Sequence, residues 1–145
     1  MLIEQRKIEK FKILKVGIKV QWINGDDRLC LECADAPEPE LPEALNALRD
    51  WAEELMDLPT GYLHAAAVTG ISLDYGEKCV GLVATIQRPL KNVDAPLVLN
   101  TPRVTSETGP WPKEIDAATD RALRYLDGHR AQGLLDLGGE TDADE

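Results

Sequence analysis

With 145 residues, 43% hydrophobic and 29% charged, the chain has the size and composition of one folded domain rather than of a disordered polymer. Its formal net charge of −10 excludes a uniformly basic nucleic-acid binder, and no apolar run approaches membrane-spanning length. Three cysteines, an odd number, argue for reduced thiols, and the start Met1-Leu2-Ile3-Glu4 reads as no signal peptide, so a cytoplasmic location is expected.

The charge is unevenly placed. Residues 1–20 set Arg6, Lys7, Lys10, Lys12, Lys15 and Lys19 against Glu4 and Glu9 alone, so a basic segment is attached to an acidic body. Such an asymmetry either steers an anion to one face or guards a strand edge against aggregation.

In chain order, Lys10 to Ile23 alternates as one strand, with Leu14, Val16, Ile18, Val20 and Trp22 on one side and Lys15, Gly17, Lys19 and Gln21 on the other. Asn24-Gly25-Asp26-Asp27 is a hairpin turn, and Arg28 to Ala34 is the return strand. After Pro37 and Pro39, a helix opens at Pro42, with Leu41, Leu45, Leu48, Trp51, Ala52, Leu55 and Met56 forming its apolar stripe. Val68 to Tyr75 and Cys79 to Arg88 are the next pair of strands, and Pro96 to Val104 adds another. A second helix runs from Pro112 to about Asp127, facing inward with Ile115, Ala118, Ala122, Tyr125 and Leu126.

These elements read as one unit written twice. Gly17, Ile18, Val20 and Trp22 match Gly70, Ile71, Leu73 and Tyr75, and Pro42, Leu45 and Ala52 match Pro112, Ile115 and Ala122. The expected fold is therefore α+β. It has pseudo-duplicated strand-strand-(strand)-helix units, at about 14–58 and 67–128, and an antiparallel sheet with two helices on one face. Residues 1–137 form a single domain, and 138–145 are a flexible acidic tail by composition.

Catalytic motifs are lacking. Cys30 and Cys33 stand three apart on a strand, so they face opposite sides and do not clamp one zinc ion. His64 and His129 have no nucleophile elbow beside them, and the many carboxylates follow the polar faces of helices. No enzyme activity, metal or cofactor is expected. Asn100 and Thr101, near Arg103 and Arg88, offer a polar rim at a sheet end.

The Val-Thr-Gly-Ile-Ser run of Val68 to Ser72 and the Leu-Val-Leu-Asn-Thr-Pro string of Leu97 to Pro102 give a resemblance, over most of residues 14–135, to small phage and prophage proteins encoded near recombination and single-strand-handling genes. It transfers no catalytic residue. The repeated strands-then-helix plan is also similar to the Whirly and Pur-type single-stranded-DNA binders, an analogy of architecture. Together they imply a non-enzymatic, phage-type single-stranded-DNA-binding protein of a replication or recombination module, working in the host cytoplasm as a homo-oligomer.

On that reading Lys10, Lys12, Lys15 and Lys19 neutralise phosphates, Arg88, Lys91 and Arg103 extend the track, and Trp22, Tyr75 and Trp111 stack bases. The core is the competing place for Trp22 and Tyr75, which lie on the apolar side of the alternation. The alternative function is an oligomeric protein-interaction or small-ligand-sequestering phage factor, whose acidic body or tail meets a basic partner of the host machinery.

Overall fold

The computed structural model describes residues 6–130. The expected acidic tail lies outside them. The first expected strand is in fact two: β1 (Arg6–Ile13) and β2 (Ile18–Asn24). The chain reverses between them where Leu14 N–H bonds the Gly17 carbonyl at 3.0 Å and Gly17 takes a φ of +84°. The alternation of Leu14, Val16 and Ile18 conceals this turn, and Val16 is 68% exposed rather than facing the core.

β3 (Asp27–Cys33) closes the predicted hairpin with β2, and the helical segment follows in two pieces, α1 (Glu40–Asn46) and α2 (Arg49–Leu55). The break is held from outside. Asn46 Oδ1 accepts from Val68 N–H at 2.9 Å, and Arg49 donates to the carbonyls of His64 and Ala66. β4 (Ala67–Tyr75), β5 (Val80–Arg88), β6 (Leu97–Asn100), β7 (Val104–Thr105) and α3 (Ile115–Leu126) complete the described chain. The strand expected over 96–104 is interrupted because Thr101 turns inward. Its N–H donates to the Ala84 carbonyl and its hydroxyl accepts from the Ala84 N–H, both at 2.9 Å, and Pro102 has no N–H to continue the ladder.

The class is α+β, with an antiparallel sheet of seven strands. Six run in the order β3-β2-β1-β4-β5-β6, and β7 also pairs with β5. The order amounts to two meanders set side by side through β1 and β4. In it β1 stands opposite β4, whereas the sequence match aligns β2 with β4.

One face of the sheet meets the helices. Phe11, Ile18, Val20, Ile71, Leu82 and Ile86 from the strands pack with Leu41, Leu45, Ala118, Ala122 and Tyr125 from the helices in one core. Two bulges keep that face apolar. Ile8 and Phe11 are three apart yet both buried, because Glu9 is an extra residue against β2. Thr69 does the same for Val68 and Ile71 against β5. The other face carries none of the described helices.

The joint between the meanders is tight. Gly70 sits opposite Lys12, where a Cβ would come within 2.7 Å of the Phe11 carbonyl oxygen. Gly70→Ala is expected to destabilise the fold by roughly 2–4 kcal/mol through forced separation of β1 and β4, read as a lower urea midpoint.

Candidate functional site

The uncovered face is organised by the strand register. Lys10 lies between Gln21 on β2 and Ser72 on β4, and Lys12 between Lys19 on β2 and Gly70 on β4. Beyond them, Ser72 pairs with Val83, Gly70 with Thr85, and Thr85 with Asn100. Lys12 and Lys19 are therefore directly opposed, with Cβ atoms about 5 Å apart, and Lys10 is two residues along the same strand, about 7 Å away. All three lysines are exposed.

β1 is the third strand of six in the sheet order, so these lysines do not guard an edge. Like charges directly opposed on a sheet are unfavourable unless something of opposite sign lies over them. Among the described residues none of the three forms an ion pair within 4.0 Å, although Glu32 is the cross-strand neighbour of Lys19.

Around them is a recess of about 290 Å³ lined by Lys10, Lys12, Leu14, Lys19, Gln21 and Glu32. A notch of about 100 Å³ adjoins it over Gly70, where the missing side chain lowers the surface between Lys12 and Thr85. Thr85 Oγ1 donates to Asn100 Oδ1 at 2.8 Å. The surface so formed is cationic and rich in hydroxyl and amide groups. Its chemistry suits phosphate oxygens, which accept from ammonium, hydroxyl and amide donors alike.

The remaining basic residues do not form one track with these. Lys15 is exposed in the β1–β2 turn, and Lys91 is exposed in the loop after β5. Arg103 shares the open face, but it lies over Gly81 and bonds Asp74 at 2.9 Å. Arg28 bonds Glu9 there through two nitrogens, at 2.9 and 3.2 Å. Arg88 stands with the core-facing residues of β5, its guanidinium 4.8 Å from the centre of the Tyr62 ring.

The aromatic residues are likewise elsewhere. Trp22 and Tyr75 are half-buried on the helix side, in phase with Val20 and Leu73, and pack on the core. Tyr75 donates its hydroxyl to the Ile8 carbonyl at 2.6 Å, and Lys7 lies over its ring. Trp111 also packs on the core, and Trp51 donates to the neighbouring Pro110 carbonyl. Trp22, Tyr75 and Trp111, expected to stack bases, thus pack on the core and stand apart from the lysine cluster. Thr101, expected on a rim, is buried at 4% exposure and satisfies the backbone of Ala84. Sequence reading placed Gln21 on the polar side with Lys19 but missed Ser72, Thr85 and Glu32 as neighbours of the lysines. Each lies on the polar side of its own strand, but only the register brings them together.

The helical layer carries an acidic groove. Asp50, Glu54 and Asp57 border a groove there with Leu58 and Thr60. Glu53 beside them is buried and serves the fold. Its carboxylate accepts from Leu63 N–H at 2.8 Å and Gly61 N–H at 3.0 Å, and these bonds hold its pKa below the ordinary 4.5. The described residues contain no group of three or more His, Cys, Asp or Glu placed to hold a metal ion. No described helix is long and apolar enough to cross a membrane.

No protein-family model matches this chain, and no curated protein or solved structure shows significant similarity to it.

Two outcomes follow from these surroundings. Lys12→Glu replaces the opposed like charges by a carboxylate facing Lys19, which then stands between two acidic neighbours, Glu32 being the other. The change should raise stability by about 0.5 kcal/mol at low salt, the gain in denaturant midpoint shrinking as salt is added. Burial first, and the nearby Glu9 carboxylate second, push the Tyr75 hydroxyl up from 10.0 to about 12. The folded state then holds a proton that the unfolded state releases, so this stabilisation is complete below pH 10 and fades as pH rises from 10 through 12. Denaturant midpoints across that range should fall less steeply in Tyr75→Phe than in the parent chain.

Proposed function

We propose that this protein binds single-stranded DNA across the open face of its sheet, without catalysing a reaction, as a component of a phage-type replication or recombination module. The observation that carries the reading is the cluster of Lys10, Lys12 and Lys19. These are three exposed ammonium groups that form no ion pair among the described residues, on a sheet face that carries none of the described helices, in a chain whose net charge is −10. A polyanion relieves the repulsion between Lys12 and Lys19, and the acidic helical layer keeps it from binding on the opposite side.

Gln21, Ser72 and the amide nitrogen of Asn100, whose side-chain oxygen is held by Thr85, supply neutral donors beside the cations and suit a sugar-phosphate backbone. With its aromatic residues on the covered side, the face grips backbone more than bases, so little sequence preference is expected. The strands present a broad shallow surface, and that shape suits a flexible single strand. Lys15, at the end of the β1–β2 turn, is placed to prolong the contact.

A second reading is carried by the groove of Asp50, Glu54 and Asp57, which gives the helical layer the charge to receive a basic protein partner of the host. The two readings use opposite faces and are separated by which face a substitution must touch.

Titration of a labelled oligothymidylate, followed by anisotropy over a salt series, tests the leading reading. Three phosphate contacts on a single strand predict that the logarithm of affinity falls with the logarithm of salt with a slope of about −2. Lys10→Gln, Lys12→Gln and Lys19→Gln combined should remove that dependence, while Lys91→Gln should leave it nearly unchanged. Absence of binding at low salt by the folded parent chain would sink the proposal.

A further inference from the structure

We infer that β3 is a dimerisation edge, and that a second copy of this chain adds antiparallel to it about a two-fold axis passing midway between Cys30 and its symmetry mate.

The two ends of the sheet are finished differently. β6 has only four residues, stands between Pro96 and Pro102, and so offers a short edge. β3 has seven residues with no proline, no lysine and no bulge against β2. Edges of that length left unguarded are templates for a further strand.

The hairpin sets which backbone groups of β3 are free. Asn24 and Asp27 flank a two-residue turn, Gly25-Asp26, and close it as a hydrogen-bonded pair. The pattern alternates along an unbroken register, so Leu29, Leu31 and Cys33 bond inward to β2. Arg28, Cys30 and Glu32 turn their N–H and C=O groups outward.

Only one register makes that outward set its own complement. Turning β3 about Cys30 places Arg28 against Glu32 of the second copy, Cys30 against Cys30, and Glu32 against Arg28. About six backbone hydrogen bonds form along these three pairs. On the open face the two charge pairs have opposite sign. Arg28 already meets Glu9, and its side chain remains 75% exposed, leaving its second edge for the incoming carboxylate. On the helix side the same register sets Leu29 against Leu31. Leu29 is 40% exposed and Leu31 half-buried, because among the described residues α1 and α3 pack mainly over β4 and β1 at the centre of the sheet. One operation thus satisfies backbone, charge and apolar surface together, which is the self-complementarity a two-fold interface requires. The charges on β3 guard it against other strands but not against its own copy. The resulting sheet would carry two lysine clusters on one continuous face, with Lys10 and its symmetry mate about 24 Å apart at the usual strand spacing. The joint itself does not depend on what that face binds.

Light scattering coupled to size exclusion, with sedimentation over a concentration series of the full chain, tests the inference. The parent chain should be dimeric. Arg28→Glu and Glu32→Arg should each weaken the dimer by at least about tenfold, and the double variant should recover most of that loss. Cys30→Pro removes an outward N–H that bonds nothing among the described residues of one copy, and should give a monomer with a folded circular dichroism spectrum. Glu32→Arg does not touch Glu9, so it reports on the interface even if Arg28→Glu disturbs the subunit. In a Cys33→Ser/Cys79→Ser chain, a short bis-maleimide should join Cys30 to Cys30. A monomer at every concentration overturns the inference. So does a dimer that survives Cys30→Pro, ignores the charge reversals, or fails to crosslink through Cys30.

Discussion

The antiparallel pairing of β1 with β4 is the constraint on which the rest of the structure depends. It joins two meanders into one sheet through Lys10–Ser72, Phe11–Ile71 and Lys12–Gly70. The absence of a side chain at Gly70 lets the backbones approach, and a bulge in each strand lies just outside the joint. Without those bulges Ile8 and Phe11 would fall on opposite faces, as would Val68 and Ile71, and the sheet would have no single apolar side to give the helices. The joint also fixes the candidate site. It puts Lys10 and Lys12 in the middle of the sheet, beside the hydroxyl of Ser72 and the notch over Gly70.

Covering only one face divides the chain electrostatically. The helical layer carries the acidic groove of Asp50, Glu54 and Asp57, while the sheet face away from the described helices carries Lys10, Lys12 and Lys19 with Arg28 and Arg103, against Glu9, Glu32 and Asp74. A strongly acidic chain can in this way keep a small cationic surface. Pairing removes the other cations of that face from play: Glu9 holds Arg28 and Asp74 holds Arg103. Among the described residues, Lys10, Lys12 and Lys19 are left without an ion pair, and Lys12 and Lys19 repel each other across the strands.

Much of the fold was legible in the residues. The β2–β3 hairpin follows from Asn24-Gly25-Asp26-Asp27 between alternating runs, β4 and β5 from their own alternation, and both helical segments from apolar residues at helical spacing behind Pro42 and Pro112. The turn at 14–17 was not legible, because Leu14 and Val16 continue the alternation of β2 and disguise a reversal as one long strand. The break between α1 and α2 was not legible either, since Asn46 and Arg49 bond groups near β4 that lie far along the chain. Lys10, Lys12, Lys15 and Lys19 could be named from sequence as a basic segment, but that Lys15 falls in the β1–β2 turn and the other three cluster could not. For Trp22 and Tyr75 the apolar side of the alternation already offered the core as the competing place, whereas the surroundings of Arg88 and Trp111 depend on how the layers pack.

By itself, then, the sequence determined the class of the fold, the amphipathic strands and helices, and the concentration of positive charge near the start of an acidic chain. These depend on composition and local periodicity. Tertiary structure alone decided that β1 lies inside the sheet rather than at its edge, that Lys12 opposes Lys19, and that Ser72, Thr85 and Asn100 are their neighbours. It also put β3 at the end of the described sheet order. Register joins residues roughly 60 positions apart through backbone hydrogen bonds, and a one-residue bulge shifts every side chain beyond it to the other face, so no local pattern contains that information.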